Sequence, residues 1–356
     1  MDVALVASIV SPIRHAAANG PHAIIGDLAR GLLARGHRAT VYAAAGSELP
    51  GVPLVEIEVA STAAGSLILP GSLDAPRNPA VYDGFDRLVV ELRRRRPDVI
   101  SQHAFDAEAV ERMEDLPVLH TLHLPPVVPS MVAAVQRSAA QLASVSQSAV
   151  AQWRLAAGRE VVSLPNGVPD RGWVEAEVEP HAVIAGRISP EKGTAIAIRA
   201  ASAAGLRPVV VGDIYDRDYY RREVEPLLDD ATFLGPRSRR SLAVLLPHSA
   251  LLVLAAQWEE TFGLVAAEAQ MAGCPVVAFR RGALPEVVRH GLGGWLVEPD
   301  DEAGLARALH ELGGFDRRAI RADAQRRLGL DGMIDRYEKA LAEVAAAGMA
   351  GSRRVA

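Results

Sequence analysis

Two cations in a short segment bounded by glycines are the residues best suited to chemistry in this sequence. Arg187 and Lys192 lie five residues apart between Gly186 and Gly193, after an apolar run that predicts a strand and before a stretch that predicts a helix. Isolated pairs with this spacing are usually solvated loop charges. The strand, glycine turn and helix N-terminus favour an anion site instead, in which an arginine and a lysine hold two phosphates together.

The lysine is informative because lysine is rare in this chain. Of the 38 basic residues, all but Lys192 and Lys339 are arginine. A compact ammonium and a planar guanidinium are not interchangeable at a tight turn, so a lysine within the motif favours a functional role. The motif is not a Walker loop, because glycine follows the lysine where Ser or Thr is required.

Two glutamates frame a second candidate site. Glu260 and Glu268 lie eight residues apart between two further apolar runs, and a helix that begins near residue 262 would leave Glu260 in the preceding loop and Glu268 about one and a half turns inside. The first amides of that helix would face an anion; they belong to Phe262, Gly263, Leu264 and Val265. An acidic helix start stabilised by the macrodipole is the alternative, and it accounts for Glu260 but not for Glu268 among apolar neighbours. A carboxylate, free helix amides and a second carboxylate, in this order, suit the binding of a sugar, a diphosphate and a ribose.

Apolar runs that predict strands alternate with amphipathic stretches in both halves of the chain. In the first half they are Val3–Ala7, Ala39–Ala44, Val99–Ser101, Val118–Leu122 and Leu142–Val145. In the second half they are Ala182–Ala185, Pro208–Val211, Ala231–Leu234, Leu251–Leu254 and Pro275–Ala278. The alternation predicts an α/β protein with two doubly wound parallel sheets.

The length of 356 residues favours two domains over one. A segment rich in proline and acid, residues 165–180, predicts the linker, so we expect an N-terminal domain over 1–170 and a C-terminal domain over 171–356. Residues 331–347 predict one amphipathic helix that is able to pack back towards the N-terminal domain. Ligands of open parallel sheets bind beyond the carboxyl ends of the strands, so two facing sheets would place both sets of loops around one cleft.

The run that begins at Glu260 resembles the signature of family 4 retaining glycosyltransferases. Glu260-x7-Glu268 is followed by Ala-Gln-Met-Ala-Gly-Cys-Pro-Val-Val-Ala. Further segments that fall in the family's order are 164–168, 186–193, Gly235 and 281–288. The resemblance implies the GT-B fold, two facing Rossmann-like domains with a cleft between them, in which a sugar passes from a nucleotide diphosphate carrier to an acceptor.

The resemblance also implies roles for individual residues. Arg187 and Lys192 would bind the donor diphosphate, Glu260 the hydroxyls of the transferred sugar, and Glu268 the ribose. The N-terminal domain would serve the acceptor and the C-terminal domain the donor. The family needs no catalytic metal and no cofactor, because the nucleotide sugar is a co-substrate; a UDP-sugar is favoured by family frequency alone.

The N-terminal domain matches the family less well. A Gly-Gly pair usually precedes its first helix, and this chain has Asn19 followed by Gly20, Pro21 and His22. Gly20 would still let the loop approach the donor phosphate. His22 either reaches the cleft or lies on the surface. His123 falls where many relatives keep a histidine close to the transferred sugar, and we favour it over His120, with a hydrogen-bonded interior histidine as the alternative.

Composition excludes other classes of function. The net charge of −5 disfavours a nucleic-acid binder, and the single cysteine, Cys274, indicates a reducing, cytoplasmic setting. No apolar run reaches the roughly 20 residues of a membrane span.

The arginines 93–96 could touch anionic lipid, although charge at a helix end is favoured. Asp216 and Asp218 form a D-x-D pattern on a polar helix start, where we expect no metal.

The acceptor is a glycan, a small molecule or a lipid-linked compound, and the sequence leaves the choice open. Alternatives to the transferase on the same fold are a nucleotide-sugar hydrolase, an epimerase or a phosphorylase. A binding-only subunit of a glycan assembly complex is a further alternative. The four intact residues Arg187, Lys192, Glu260 and Glu268 favour an active enzyme.

Overall fold

The computed structural model describes residues 1–14, 20–61, 77–311 and 313–355, with side chains as far as residue 348. The chain divides into two compact units. Of the described residues, 1–14, 20–165 and 331–355 form the first unit, and residues 166–330 form the second.

The first unit contains one seven-stranded parallel sheet. Its strands are β1 (Asp2–Val6), β2 (Arg38–Ala44), β3 (Leu54–Ile57), β4 (Val99–Gln102), β5 (Val118–Leu122), β6 (Gln141–Ser144) and β7 (Val162–Ser163). They lie in the order β3-β2-β1-β4-β5-β6-β7, so the order reverses between β1 and β4. Its first helices are α1 (Gly20–Ala34), α2 (Pro79–Arg95), α3 (Ala107–Arg112), α4 (Pro129–Arg137) and α5 (Gln147–Ala157).

The second unit repeats this architecture with six parallel strands. They are β8 (Glu179–Ala185), β9 (Arg207–Val211), β10 (Thr232–Gly235), β11 (Ser249–Leu254), β12 (Val276–Phe279) and β13 (Gly294–Val297), in the order β10-β9-β8-β11-β12-β13. The α-helices of the second unit are α6 (Thr194–Ala203), α7 (Arg217–Tyr219), α8 (Arg239–His248), α9 (Leu264–Met271), α10 (Leu284–Val287), α11 (Glu302–His310) and α12 (Arg317–Leu328). The last helix, α13 (Leu330–Val355), returns to the first unit.

Strands β4, β5 and β12 are buried along their whole length because helices cover both faces of a parallel sheet. All five residues of β5 are buried, as are all four of β4 and β12. Large side chains such as Phe85 and Trp153 are fully buried between the first sheet and its helices. The sequence predicted β4, β5 and β12 from the runs Val99–Ser101, Val118–Leu122 and Pro275–Ala278.

The last helix packs on the first unit. A Cβ atom at Gly31 of α1 would lie 2.0 Å from the Cδ1 of Ile334, so the two helices approach closely at a residue without a side chain. Tyr337 is fully buried, and its ring lies 5.8 Å from that of His103. The predicted C-terminal range 171–356 included this helix; the structure instead ends the second unit at Leu330, because the apolar face of α13 is buried by the first unit.

Candidate functional site

The second unit brings the ends of β8 and β11 together. These strands are neighbours, and the order of the sheet reverses between them. Residues that follow adjacent strands at such a switch point lie at the usual ligand site of an open α/β sheet. The motif from Gly186 to Gly193 follows β8, and the segment with Glu260 follows β11.

Two glycines shape the turn between β8 and α6. Gly193 has φ +63°, in the left-handed region, and a Cβ atom there would lie 1.9 Å from the carbonyl oxygen of Ala255, just beyond β11. A one-turn 3-10 helix, Pro190–Lys192, precedes it, and the amide of Gln257 donates to the carbonyl of Glu191 at 2.8 Å. The predicted strand, turn and helix are present, and the turn packs directly on the chain after β11.

We expect Gly193→Ala to destabilise the protein strongly. Alanine in the left-handed region costs about 1–2 kcal/mol, and overpacking against a fixed carbonyl adds about 1–3 kcal/mol. Gly205→Ala is the matched control, because Gly205 has φ +74° but a Cβ atom there would meet nothing within 4 Å. Urea unfolding of both variants measures the difference; equal losses of free energy would show that the approach to Ala255 is not tight.

Lys192 and Glu260 form an ion pair at this junction. The Nζ of Lys192 donates to the Oε2 of Glu260 at 2.6 Å, and the Nε1 of Trp258 donates to the same oxygen at 3.1 Å. The Nζ also lies 4.8 Å from the centre of the Trp258 ring, a cation–π distance. The side chains are 23% and 15% exposed, so the pair is largely shielded from water.

The ion pair keeps Glu260 charged. Burial raises the pKa of its carboxyl, but the charge of Lys192 and hydrogen bonds from Lys192 and Trp258, with a smaller effect of Arg187, together hold the pKa below its ordinary value. The backbone of Glu260 is fixed as well, because its carbonyl accepts from the amide of Ala283 at 2.7 Å. Glu260 is thus a preorganised hydrogen-bond acceptor at the end of β11.

Arg187 lies beside the pair on an aromatic surface. Its guanidinium carbon lies 4.6 Å from the centre of the Tyr215 ring, and its Nη2 donates to Glu191 at 3.3 Å. The guanidinium remains partly exposed, at 37%. Stacking restricts the arginine while leaving its charge accessible to an anion. The predicted pair of cations therefore lies at one strand end, as the spacing indicated.

The helix that follows Glu260 begins two residues later than predicted. Gly263, with φ +83°, is the N-cap of α9, so the first amides within the helix are those of Leu264 and Val265, and Phe262 is a buried loop residue. Glu268 is the fifth residue of the helix, a little more than one turn inside. The order of carboxylate, helix amides and second carboxylate is retained.

Glu268 forms an ion pair with Arg239, the first residue of α8. The side chains are 14% and 16% exposed. The sequence singled out Glu268 because an unpaired acid among apolar residues is costly, and the structure supplies the partner that the sequence did not reveal.

The histidines predicted in the first unit lie in its interior. His123 follows β5, and its Nε2 is 2.8 Å from the Nδ1 of His103, whose Nε2 is 2.8 Å from the Oγ of Ser101. His120 is fully buried and its Nδ1 is 3.0 Å from Gln102. Burial and hydrogen bonding thus describe both histidines, and a contact between His123 and a sugar stays a prediction.

The glycine predicted to approach a phosphate, Gly20, is the first residue of α1. Asn19 lies outside the described residues. Pro21 and His22 belong to the first turn of the helix rather than to a loop, and His22 is buried, so its surface alternative is wrong. Donor binding by Gly20 stays a prediction.

Two known protein families match this chain, one over each half of the sequence. The family described as Glycosyltransferase Family 4 matches residues 18–171, and the one described as Glycosyl transferases group 1 matches residues 179–313. The chain belongs to glycosyltransferase family 4. The resemblance to family 4 that the Glu260 and Glu268 segment indicated is confirmed.

Relatives of this family 4 chain include two proteins named D-inositol 3-phosphate glycosyltransferase. That of Salinispora arenicola is 33% identical over 318 residues, covering 83% of this chain and 63% of the relative. That of Mycobacterium avium is 42% identical over 132 residues, covering 35% of this chain and 31% of the relative. The chain therefore matches less than two thirds of the length of either relative.

Two solved structures share the fold of the family 4 chain. Anabaena HepE in complex with UDP and glucose has a TM-score of 0.75 at 20% identity, covering 96% of this chain and all of that one. The sucrose-phosphate synthase of Thermosynechococcus elongatus has a TM-score of 0.76 at 18% identity, covering 98% and 100%. With the two observed sheets, these similarities confirm the predicted GT-B fold of two Rossmann-like domains.

Several residues of the second unit that were not assigned a role from the sequence contact the candidate site residues. Trp258 binds Glu260, Tyr215 stacks on Arg187, and Arg239 pairs with Glu268. Trp258 stands two residues before Glu260, which is a local signal. Tyr215 and Arg239 lie 28 and 29 residues from their partners, so only the fold brings them there.

The D-x-D pattern at Asp216 and the arginines 93–96 both have structural explanations at helix ends. The carboxylate of Asp216 accepts from the amide of Tyr219 at 2.8 Å and caps α7. Arg94 and Arg95 bind Glu91 at the end of α2. Within residues 1–14, 20–61, 77–311 and 313–355, no three histidine, cysteine, aspartate or glutamate side chains are grouped to hold a metal. Over the same ranges, no helix has the length and apolar character needed to span a membrane.

The buried histidines predict a loss of stability in mild acid. Burial lowers the pKa of His22 and His123 to about 4 and that of His120 to about 3, and the pKa of His103 is lowered as well. The unfolded chain, with histidine pKa values near 6.5, binds more protons between about pH 4 and 6.5. Stability is therefore full above pH 6.5 and falls as the pH drops towards 4, by up to about 1.4 kcal/mol per pH unit for each histidine.

Asp106 acts in the opposite direction. Burial, with the nearby charge of Glu108, raises its pKa to about 7, so its protonation favours the folded state as the pH falls. We expect the histidines to outweigh it. Urea unfolding at pH 4.5, 5.5, 6.5 and 7.5 measures the slope, which His120→Gln should reduce and Asp106→Asn should increase. A flat profile over this range would contradict the prediction.

Proposed function

We propose that this chain is a metal-independent retaining glycosyltransferase that moves a sugar from a nucleotide diphosphate sugar, favoured to be a UDP-sugar, to an acceptor hydroxyl. The observation that carries the proposal is the junction of Lys192, Glu260 and Arg187 at the carboxyl ends of β8 and β11. It combines cations for a diphosphate with a charged acceptor for sugar hydroxyls.

The cations support departure of a diphosphate. Charge develops on the bridging oxygen as the bond between the sugar and the phosphate breaks, and preorganised cations and helix amides stabilise it without reorganising. Lys192 is held by Glu260 and Trp258, and Arg187 is stacked on Tyr215, so both charges are positioned in advance. The amides at the start of α9 add a further positive end.

The proposed mechanism is displacement on the front face of the sugar. The acceptor oxygen bonds to the anomeric carbon on the side from which the diphosphate departs, and the acceptor proton passes to a phosphate oxygen of the leaving group. The configuration is then retained. Glu260 suits binding of sugar hydroxyls better than nucleophilic attack, because its carboxylate already accepts hydrogen bonds from Lys192 and Trp258.

Two indirect arguments favour UDP over other nucleotides as the donor's carrier. Family frequency favours it, and HepE, which shares the fold, has been solved with UDP and glucose. The acceptor is left at the level of chemical class, a glycan, a small molecule or a lipid-linked compound, because acceptor contacts in this fold come from variable loops.

A thermal-shift panel with UDP, GDP, ADP and dTDP tests the donor. A nucleotide at one hundred times its dissociation constant stabilises the folded state by about 2.7 kcal/mol, enough to identify the preferred base. Transfer assays with the corresponding nucleotide sugars and an acceptor panel then test the reaction. No stabilisation by any of the four would contradict the proposal, and rapid consumption of donor without an acceptor would favour the hydrolase alternative.

Metal independence gives a separate prediction. Because Arg187, Lys192 and helix amides take the place of a divalent ion at the diphosphate, we expect transfer activity to be unchanged in EDTA. Activity is measured before and after chelation and again after Mg²⁺ or Mn²⁺ is restored. Complete loss that either ion restores would show that a metal serves the diphosphate instead.

A further inference from the structure

The ion pair of Arg239 and Glu268 links two helices of the second unit. Nε of Arg239, at the start of α8, donates to Oε1 of Glu268, in the second turn of α9. Both side chains are mostly buried. This contact runs from the Nε edge of the guanidinium to one carboxylate oxygen, so it restrains the carboxylate.

The position of Arg239 is unfavourable by itself. It is the first residue of its helix, where the macrodipole disfavours a cation, and the first turn of α8 contains no acid. Ser238 caps the helix by accepting from the amide of Ser241 at 3.1 Å, so the arginine is not needed as a cap. The cation is placed there against the local preference.

A purely structural role does not require these charges. Buried ion pairs are often no more stabilising than apolar residues of similar size, because both ions lose their hydration. The four residues before Glu268 on α9 are leucine, valine and two alanines, so the carboxylate follows an apolar stretch of the helix. The pair is better explained by a ligand that needs the carboxylate of Glu268 charged and held in one orientation.

We propose that Arg239 is a positioning residue that sets the preference of the donor site for a ribonucleotide. It holds Glu268 ionised and oriented so that the carboxylate accepts hydrogen bonds from the two neighbouring hydroxyls of the ribose. This rests on the proposed function and on the role that the family resemblance implies for Glu268, which is to bind that ribose. Arg239 itself acts through Glu268. It therefore adds little to the affinity for a nucleotide whose sugar lacks one of the two ribose hydroxyls.

The experiment measures the binding of UDP and 2′-deoxy-UDP by calorimetry. The variants are Arg239→Met, Arg239→Lys and Arg239→Met combined with Glu268→Gln, with Arg240→Met as the matched control on the exposed side of the same helix turn. The double variant removes both charges of the Arg239–Glu268 pair, so it keeps the test valid if Arg239→Met alone folds poorly. Melting curves report the fold of each protein.

We expect wild type and Arg240→Met to bind UDP about tenfold or more tightly than 2′-deoxy-UDP, as for a charged hydrogen bond. Arg239→Met and the double variant should lose most of that ratio through weaker UDP binding, and Arg239→Lys should keep part of it. A ratio unchanged in folded Arg239→Met would overturn the inference while leaving the proposed transfer reaction intact, and a ratio unchanged in the double variant would also exclude Glu268 from the ribose. Failure of wild type to bind UDP would overturn both.

Discussion

Lys192→Ala is expected to lower the turnover number by about 10²–10³, the usual cost of removing one electrostatic contact to a transition state. The Nζ of Lys192 lies at the end of β8, in contact with Glu260 and over the ring of Trp258. If it stabilises charge that grows as the sugar–phosphate bond breaks, the loss appears in kcat more than in the Michaelis constant of the donor.

Lys192→Arg separates the shape of the cation from its charge. A guanidinium can still pair with Glu260 and stack on Trp258, so we expect this variant to fold, but a planar fork needs a wider slot between phosphate oxygens than an ammonium does. Turnover should fall less than in Lys192→Ala, and again by more than the Michaelis constant rises.

Steady-state kinetics with the preferred donor, alongside melting curves, test both variants. The matched control is Lys339→Ala, which removes the other lysine of the chain from an exposed position of α13. Folded Lys192 variants with turnover close to that of wild type would exclude Lys192 from the proposed active site, and with it the inference drawn from the rarity of lysine.

Local sequence predicted the parts of the candidate site that lie within one strand-to-helix connection. The run from Gly186 to Gly193 shows its strand, turn and helix directly, because glycines and the switch of hydrophobic period mark them. The contact between Lys192 and Glu260 was not predictable in this way. The two residues are 68 positions apart, and they meet because β8 and β11 are neighbours in the sheet.

The sequence predicted every interior strand of both sheets and the edge strand β10, but not the other three edge strands. β3, β7 and β13 escaped notice; β3 and β13 have four residues and β7 has two, and all three are edge strands. The place of α13 could not be decided either, because an amphipathic pattern shows that a helix has an apolar face but not which sheet buries that face.

Glu260→Gln is expected to weaken the binding of the nucleotide sugar but not that of the free nucleotide. The carboxylate lies 2.6 Å from the Nζ of Lys192, so it competes with a phosphate for the ammonium and repels the diphosphate. Glutamine removes that charge while its carbonyl oxygen can still accept from Trp258. UDP should therefore bind as tightly as to wild type or more tightly.

UDP-sugar binding should instead weaken by roughly tenfold to a hundredfold, because hydrogen bonds from sugar hydroxyls to a charged acceptor are lost. Glu259→Gln is the matched control: Glu259 is the adjacent acid, is exposed, and accepts from the amide of Gly282 at 2.8 Å. Calorimetry with UDP and the UDP-sugar on both variants gives the ratio of affinities, which should change for Glu260→Gln alone. An equal weakening of both ligands by Glu260→Gln would mean that the carboxylate serves only to position Lys192, since a residue that holds the phosphate-binding cation affects every ligand that carries the diphosphate.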